Sequence, residues 1–140
     1  MLMAVVIAVA LFVVSLWLHV AMIRAARLVA GEPMAKPTRL TGAYLIVLAS
    51  HLAVAGLFAA GFALAIELDL GGFRQQATVD AMDLFYYSLI NVTTVGLGNI
   101  YPEGHLRAMT GIESLTGFML ISCTAQFVFQ TMSNRNEKED

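Results

Sequence analysis

Three long apolar blocks, separated by short polar connections, dominate the chain. Residues 1–23 carry nothing more polar than Ser15 and His19, and residues 41–66 are broken in their interior only by Ser50 and His51. Residues 108–132 hold a single charged side chain, Glu113. A helix needs ~20 predominantly apolar residues to cross a bilayer, so each block predicts one membrane span. A fourth apolar stretch, residues 79–92, is too short to cross. Segments of about 10–14 apolar residues read as re-entrant or interfacial. Non-helical backbone at membrane depth is stable only where protein buries it or where it lines a water-filled cavity. A short helix with a glycine-rich return meets that requirement, and such a return follows at residues 93–99.

Helix punctuation divides the chain accordingly. Gly31-Glu32-Pro33 ends the first helix and Pro37-Thr38 opens the second. The expected layout is a first helix at 1–30, a connection at 31–40 and a larger unit at 41–132, followed by a tail at 133–140. Within the larger unit, a helix at 41–66 leads through a loop at 67–78, containing Gly71-Gly72, to the short helix at 79–92. The return at 93–99 then joins the last helix at 106–132. Thr78 or Asp80 can cap the short helix, and Asp80 and Asp83 suit its positive end.

Composition supports a membrane protein. Of the 140 residues, 59% are hydrophobic and 13% charged, against about a quarter charged in soluble domains. The net charge of −2 gives no reason to expect a nucleic-acid partner. The one cysteine, Cys123, lies inside a span, and no zinc-ligand spacing or nucleophile–base pair suggests an enzyme. Charge placement sets topology. Arg24, Arg27, Lys36 and Arg39 outweigh Glu32 in the first connection, which makes it cytoplasmic. The N-terminus then lies outside, the return enters from the outer face, and the tail is cytoplasmic in a cell-membrane protein. Basic residues follow the first apolar block rather than precede it, so that block reads as a retained helix and not a signal peptide. Arginines at every third position, the mark of a voltage sensor, are absent from the first two spans. Trp17 and Tyr44 read as interfacial anchors.

The return carries the chemistry. Its sequence is Thr93-Thr94-Val95-Gly96-Leu97-Gly98-Asn99. A strand whose carbonyls all face one way needs backbone angles that most side chains resist, and Gly96 and Gly98 supply them. Val95 and Leu97 would turn their side chains away, while Thr94 adds a hydroxyl. Set between a short apolar helix and a span, this string resembles the selectivity filter of the potassium channel pore-domain family, Thr-Val-Gly-Tyr-Gly, in which carbonyls replace an ion's hydration shell. The preceding stretch, with Tyr86 and Tyr87, is similar to that family's pore helix. Tyr101-Pro102, Arg107, Glu113 and Gly117 follow in an order found among small bacterial members.

The resemblance implies an all-α integral membrane protein: three transmembrane helices plus a re-entrant pore helix and filter loop, assembled as a homotetramer in the lipid bilayer. It implies permeant K⁺ at Thr94, Val95, Gly96 and Leu97, with Gly98 completing the filter, and no other cofactor. Thr93, Asn99, Tyr86, Tyr87 and Glu113 become filter supports, and Gly117 a gating hinge. Ile121, Ala125 and Phe129 become the cavity and inner gate. It names no regulatory partner. Three departures stand out: Leu97 where the family usually has Tyr, Asn99 where it has Asp, and Ile90 where an acid often sits behind the filter. Glu113 is expected to face the pore helix in compensation, near Ser88 or Thr93. A weakly selective cation channel and a non-conducting pore-fold subunit or sensor are the alternatives. His19 and His51, on the first and second spans, read as a buried hydrogen-bonded contact between helices, with a metal or haem pair the alternative.

Overall fold

The computed structural model describes residues 1–31, 37–74, 79–96 and 100–136, with side chains of the last helix described as far as Ser133. Expectations that fall on Glu32, Pro33, Lys36, Thr78, Leu97, Gly98 and Asn99 lie outside the described residues. The described chain forms α1 (Leu2–Ala30), α2 (Pro37–Glu67), β1 (Phe73–Arg74), α3 (Ala81–Val92), β2 (Tyr101–Pro102) and α4 (Leu106–Asn136). α1, α2 and the Leu106–Ser133 part of α4 are long and apolar enough to cross a membrane. α3, at 12 residues, is not.

α1 and α2 meet through small side chains. α1 buries Ala4, Ala8, Ser15, Ala26 and Ala30 along one side, and α2 buries Ala43, Ser50, Ala55, Ala59, Gly61 and Ala65. Lipid tails are as apolar as leucine, so helices in a bilayer associate through close van der Waals approach and interhelical hydrogen bonds. A Cβ at Gly61 would run into the Leu11 side chain, which shows how near the two helices come. α1 packs along α4 as well as α2, and Arg27 Nη2 donates to Gln130 Oε1 at 3.2 Å near their far ends.

α3 starts at a reciprocal cap. The Asp83 amide donates to Asp80 Oδ1 at 2.8 Å, and the Asp80 amide donates to Asp83 Oδ2 at 3.2 Å. Two orphan donors are satisfied, and both carboxylates sit at the positive end of the helix dipole. A short antiparallel ribbon ties the segment before α3 to the one before α4, pairing Phe73 with Pro102 and Arg74 with Tyr101. The Arg74–Glu103 ion pair at 2.7 Å closes it at the surface.

α4 has two unlike sides. Met109, Glu113, Thr116, Leu120 and Phe127 are buried, at the alternating three- and four-residue spacing of one helical face. Leu115, Phe118, Ile121, Phe129 and Met132 form an exposed apolar face. Two boundaries differ from the hydropathy reading by four residues, and α3 begins two residues late, at Ala81. α2 begins at Pro37 rather than 41, and α4 continues to Asn136 rather than 132, because a helix can run on past the apolar block that marks the crossing.

Candidate ion-conduction site

The end of α3 determines the path of residues 93–96. The Thr93 amide donates to the Leu89 carbonyl at 3.1 Å and the Thr94 amide to Asn91 at 2.9 Å. Val95 and Gly96 both donate to the Ile90 carbonyl, at 3.0 and 3.2 Å. The Thr93 hydroxyl donates to the carbonyls of Leu89 and Ile90, at 2.9 and 3.2 Å. Every amide of the segment thus turns back toward α3. Its own carbonyl oxygens accept no backbone hydrogen bond among the described residues, and all four residues are exposed.

Backbone conformation alternates along this segment. Thr94 and Gly96 adopt positive φ, 60° and 66°, with Val95 between them outside that region. Alternating handedness brings successive peptide carbonyls toward one side, the arrangement a row of oxygen ligands requires. Glycine tolerates this at Gly96. Thr94 does not tolerate it freely: left-handed backbone costs a residue with a Cβ about 1–2 kcal/mol, and a β-branched residue there is a genuine outlier. Sequence reasoning placed Thr94 on the ion path with an added hydroxyl ligand and missed this backbone conformation. No sequence signal could have found it, since local preference argues against it.

Two adjacent tyrosines take opposite parts. Tyr87 is buried, and its hydroxyl pairs with Thr110 Oγ1 of α4 at 2.7 Å. Its ring packs edge-on against Phe73 and Phe62, with centroids 4.8 and 5.4 Å away. This aromatic trio, which the sequence reading did not single out, locks α3 to α2 and to the ribbon. Tyr86 is 55% exposed, on the open side of the chain. Asn91 turns its amide back to the Tyr87 carbonyl at 2.8 Å.

Behind α3 lie Glu113 and Gly117. Glu113 is fully buried beside Ser88 and Tyr87. The Ser88 hydroxyl faces the carboxyl, yet neither it nor the two carboxyl oxygens reaches hydrogen-bond geometry with any described residue. Thr93, the other expected neighbour, spends its hydroxyl on α3 carbonyls instead. Gly117 allows α4 to lie directly on the end of α3: a Cβ there would fall 2.6 Å from the carbonyl carbon of Val92. It sits in the interior of a continuous helix at this contact. Ile121, Ala125 and Phe129 lie together on the exposed face of α4.

Glu113 is expected to matter through the volume it fills. Glu113→Ala opens a void at the α3–α4 contact and should cost about 2–4 kcal/mol, whereas Glu113→Gln keeps the shape and should cost under about 1 kcal/mol. Thermal unfolding in detergent measures both, and equal losses would mean that charge rather than packing is decisive.

A family model described as "Ion channel", covering channels of the two-transmembrane type, matches residues 43–134. That span takes in nearly all of α2, the whole α3 region and most of α4, so the chain belongs to this ion channel family and is a channel subunit with several membrane spans. No curated protein and no solved structure matches it. α1 precedes the matched region and is an addition to it.

Proposed function

We propose that the chain forms a homotetrameric, potassium-selective channel in the cell membrane, with its N-terminus outside and its C-terminus cytoplasmic. The observation that carries this reading is the polarity of residues 93–96: amides turned back on α3, and carbonyl oxygens that accept no backbone hydrogen bond among the described residues, on an exposed segment. Free carbonyls at membrane depth cost several kcal/mol each unless something pairs them. Four copies around an axis supply rings of oxygens, and a dehydrated cation satisfies them. Thr94, Val95, Gly96 and Leu97 would then hold K⁺, with Gly98 completing the filter and Asn99 supporting it.

The remaining residues take places consistent with that assembly. The exposed apolar face of α4, with Ile121, Ala125 and Phe129, would line the cavity wall and subunit contacts in that assembly. Tyr86, also exposed, would meet a neighbouring subunit. Tyr87 and Glu113 brace the filter indirectly, by fixing α3. Gly117 can serve as a hinge only at a point already wedged against α3.

Purified protein in liposomes, with K⁺ and Na⁺ gradients compared, tests this. Flux well above background for K⁺ and far lower for Na⁺ is expected. Comparable rates would favour the weakly selective channel, and no flux from an intact tetramer the non-conducting subunit. Chemical crosslinking up to four chains checks the assembly.

A further inference from the structure

α1, α2 and α4 meet at four polar side chains that ion conduction does not use. His19 is fully buried. Its Nδ1 lies 2.8 Å from Ser50 Oγ of α2, and its Nε2 lies 3.3 Å from Thr124 Oγ1 of α4. His51 Nε2 lies 3.0 Å from the same Thr124 oxygen, and the two imidazole centroids are 4.9 Å apart. We propose that His19, Ser50, His51 and Thr124 form a proton-binding site through which α1 holds or releases α4.

Counting donors and acceptors shows why. The Thr124 hydroxyl has one proton, and two Nε2 atoms approach it. It donates to one and accepts from the other, so two neutral rings must carry their protons on opposite nitrogens. The chain of hydrogen bonds then runs in one direction: His51 to Thr124 to His19 to Ser50, or the reverse. A single added proton can be absorbed by reversing that direction or by using His51 Nδ1. A second cannot. Both Nε2 atoms would then be donors, the Thr124 proton would have no acceptor in the node, and two like charges would stand side by side. Besides the two hydroxyls, only the Leu120 carbonyl among the described groups facing the rings can accept a hydrogen bond from a charged ring, and it serves His19 alone. α1 and α2 contribute the two imidazoles and Ser50, α4 contributes Thr124 and the Leu120 carbonyl, and no described carboxylate acts on either ring. Parting the rings from α4 removes the donor conflict at Thr124, so acid favours a state with α1 and α4 separated at Thr124. Because Thr124 adjoins Ala125 on α4, that separation loosens the last helix. The proposal rests on membership of the channel family, not on potassium selectivity.

Cys123, exposed and next to Thr124, is the chain's only cysteine and takes a polarity-sensitive fluorophore. In the full chain in lipid nanodiscs, emission should change roughly twofold or more between about pH 8 and about pH 5. Thr124→Val and the double variant His19→Gln/His51→Gln should lose that response, while Thr124→Ser keeps it. Nitrogen NMR of the unsubstituted protein should find the two histidines in opposite tautomers at the higher pH. None of these readouts needs ion flux, so they stand or fall separately from conduction. The same tautomer on both rings, a fluorophore indifferent to pH, or an unchanged response in Thr124→Val would overturn the proposal.

Discussion

Gly96→Ala is expected to abolish or severely reduce cation flux while leaving the subunit folded. The backbone there has φ of 66°, and a Cβ would meet nothing within 4 Å. The penalty is therefore conformational, about 1–2 kcal/mol for a left-handed alanine. Relief comes from rotating the peptide, which turns a carbonyl away from its row. In the proposed ring of four subunits that fault would appear four times at one ion site. A loss of about tenfold in flux needs only ~1.4 kcal/mol, so the expected effect is larger than tenfold. Liposome flux measured beside a thermal melt separates this from misfolding. Near-normal flux would mean that Gly96 carries no carbonyl of the ion path.

Gly117→Val should have the largest effect on stability. In an exposed helix, replacing glycine by valine would be mildly favourable. Here the new Cβ would fall 2.6 Å from the carbonyl carbon and 2.7 Å from the Cα of Val92. Those are main-chain atoms of α3, which cannot rotate aside as a side chain would. Overpacking against yielding neighbours costs about 1–3 kcal/mol, and against backbone the upper end or more is expected. α3 must lift from α4 and take residues 93–96 with it. Gly56→Ala serves as the control, because a Cβ there meets nothing within 4 Å. It should melt at or slightly above the parent temperature. If Gly117→Val melted with it, the α3–α4 contact would have to be looser than it is.

The features that the sequence made legible are those with a long-range or compositional signature. Three spans follow from three apolar blocks, and the short fourth helix from its length. Thr78 and Asp80 were both legible as candidate caps of the short helix, and α3 is capped at Asp80. His19 and His51 pointed to an interhelical contact because isolated polar groups in a bilayer need partners. That both rings would converge on Thr124 was not legible, since this depends on where three helices cross. The two-residue ribbon at Phe73 and Tyr101 is too short to leave any periodicity. The choice between Tyr86 and Tyr87 was equally hidden, because the rotational phase of α3 is set by contacts with Phe62, Phe73 and Thr110. Thr94 was the least accessible: its backbone opposes local preference and is held by hydrogen bonds on either side of it.

Val92 has a consequence that extends beyond its own contact. On one side its backbone bears the weight of α4 at Gly117. Two residues before it, the Ile90 carbonyl carries the amides of Val95 and Gly96. A tilt of α4 about Gly117 would therefore not stop at the C-terminal end of that helix. It would press on or relieve the last turn of α3, and the peptides suspended from that turn would shift with it. Residues 93–96 and the C-terminal end of α4 would then act as the two arms of a single lever, a movement at either arm being felt at the other.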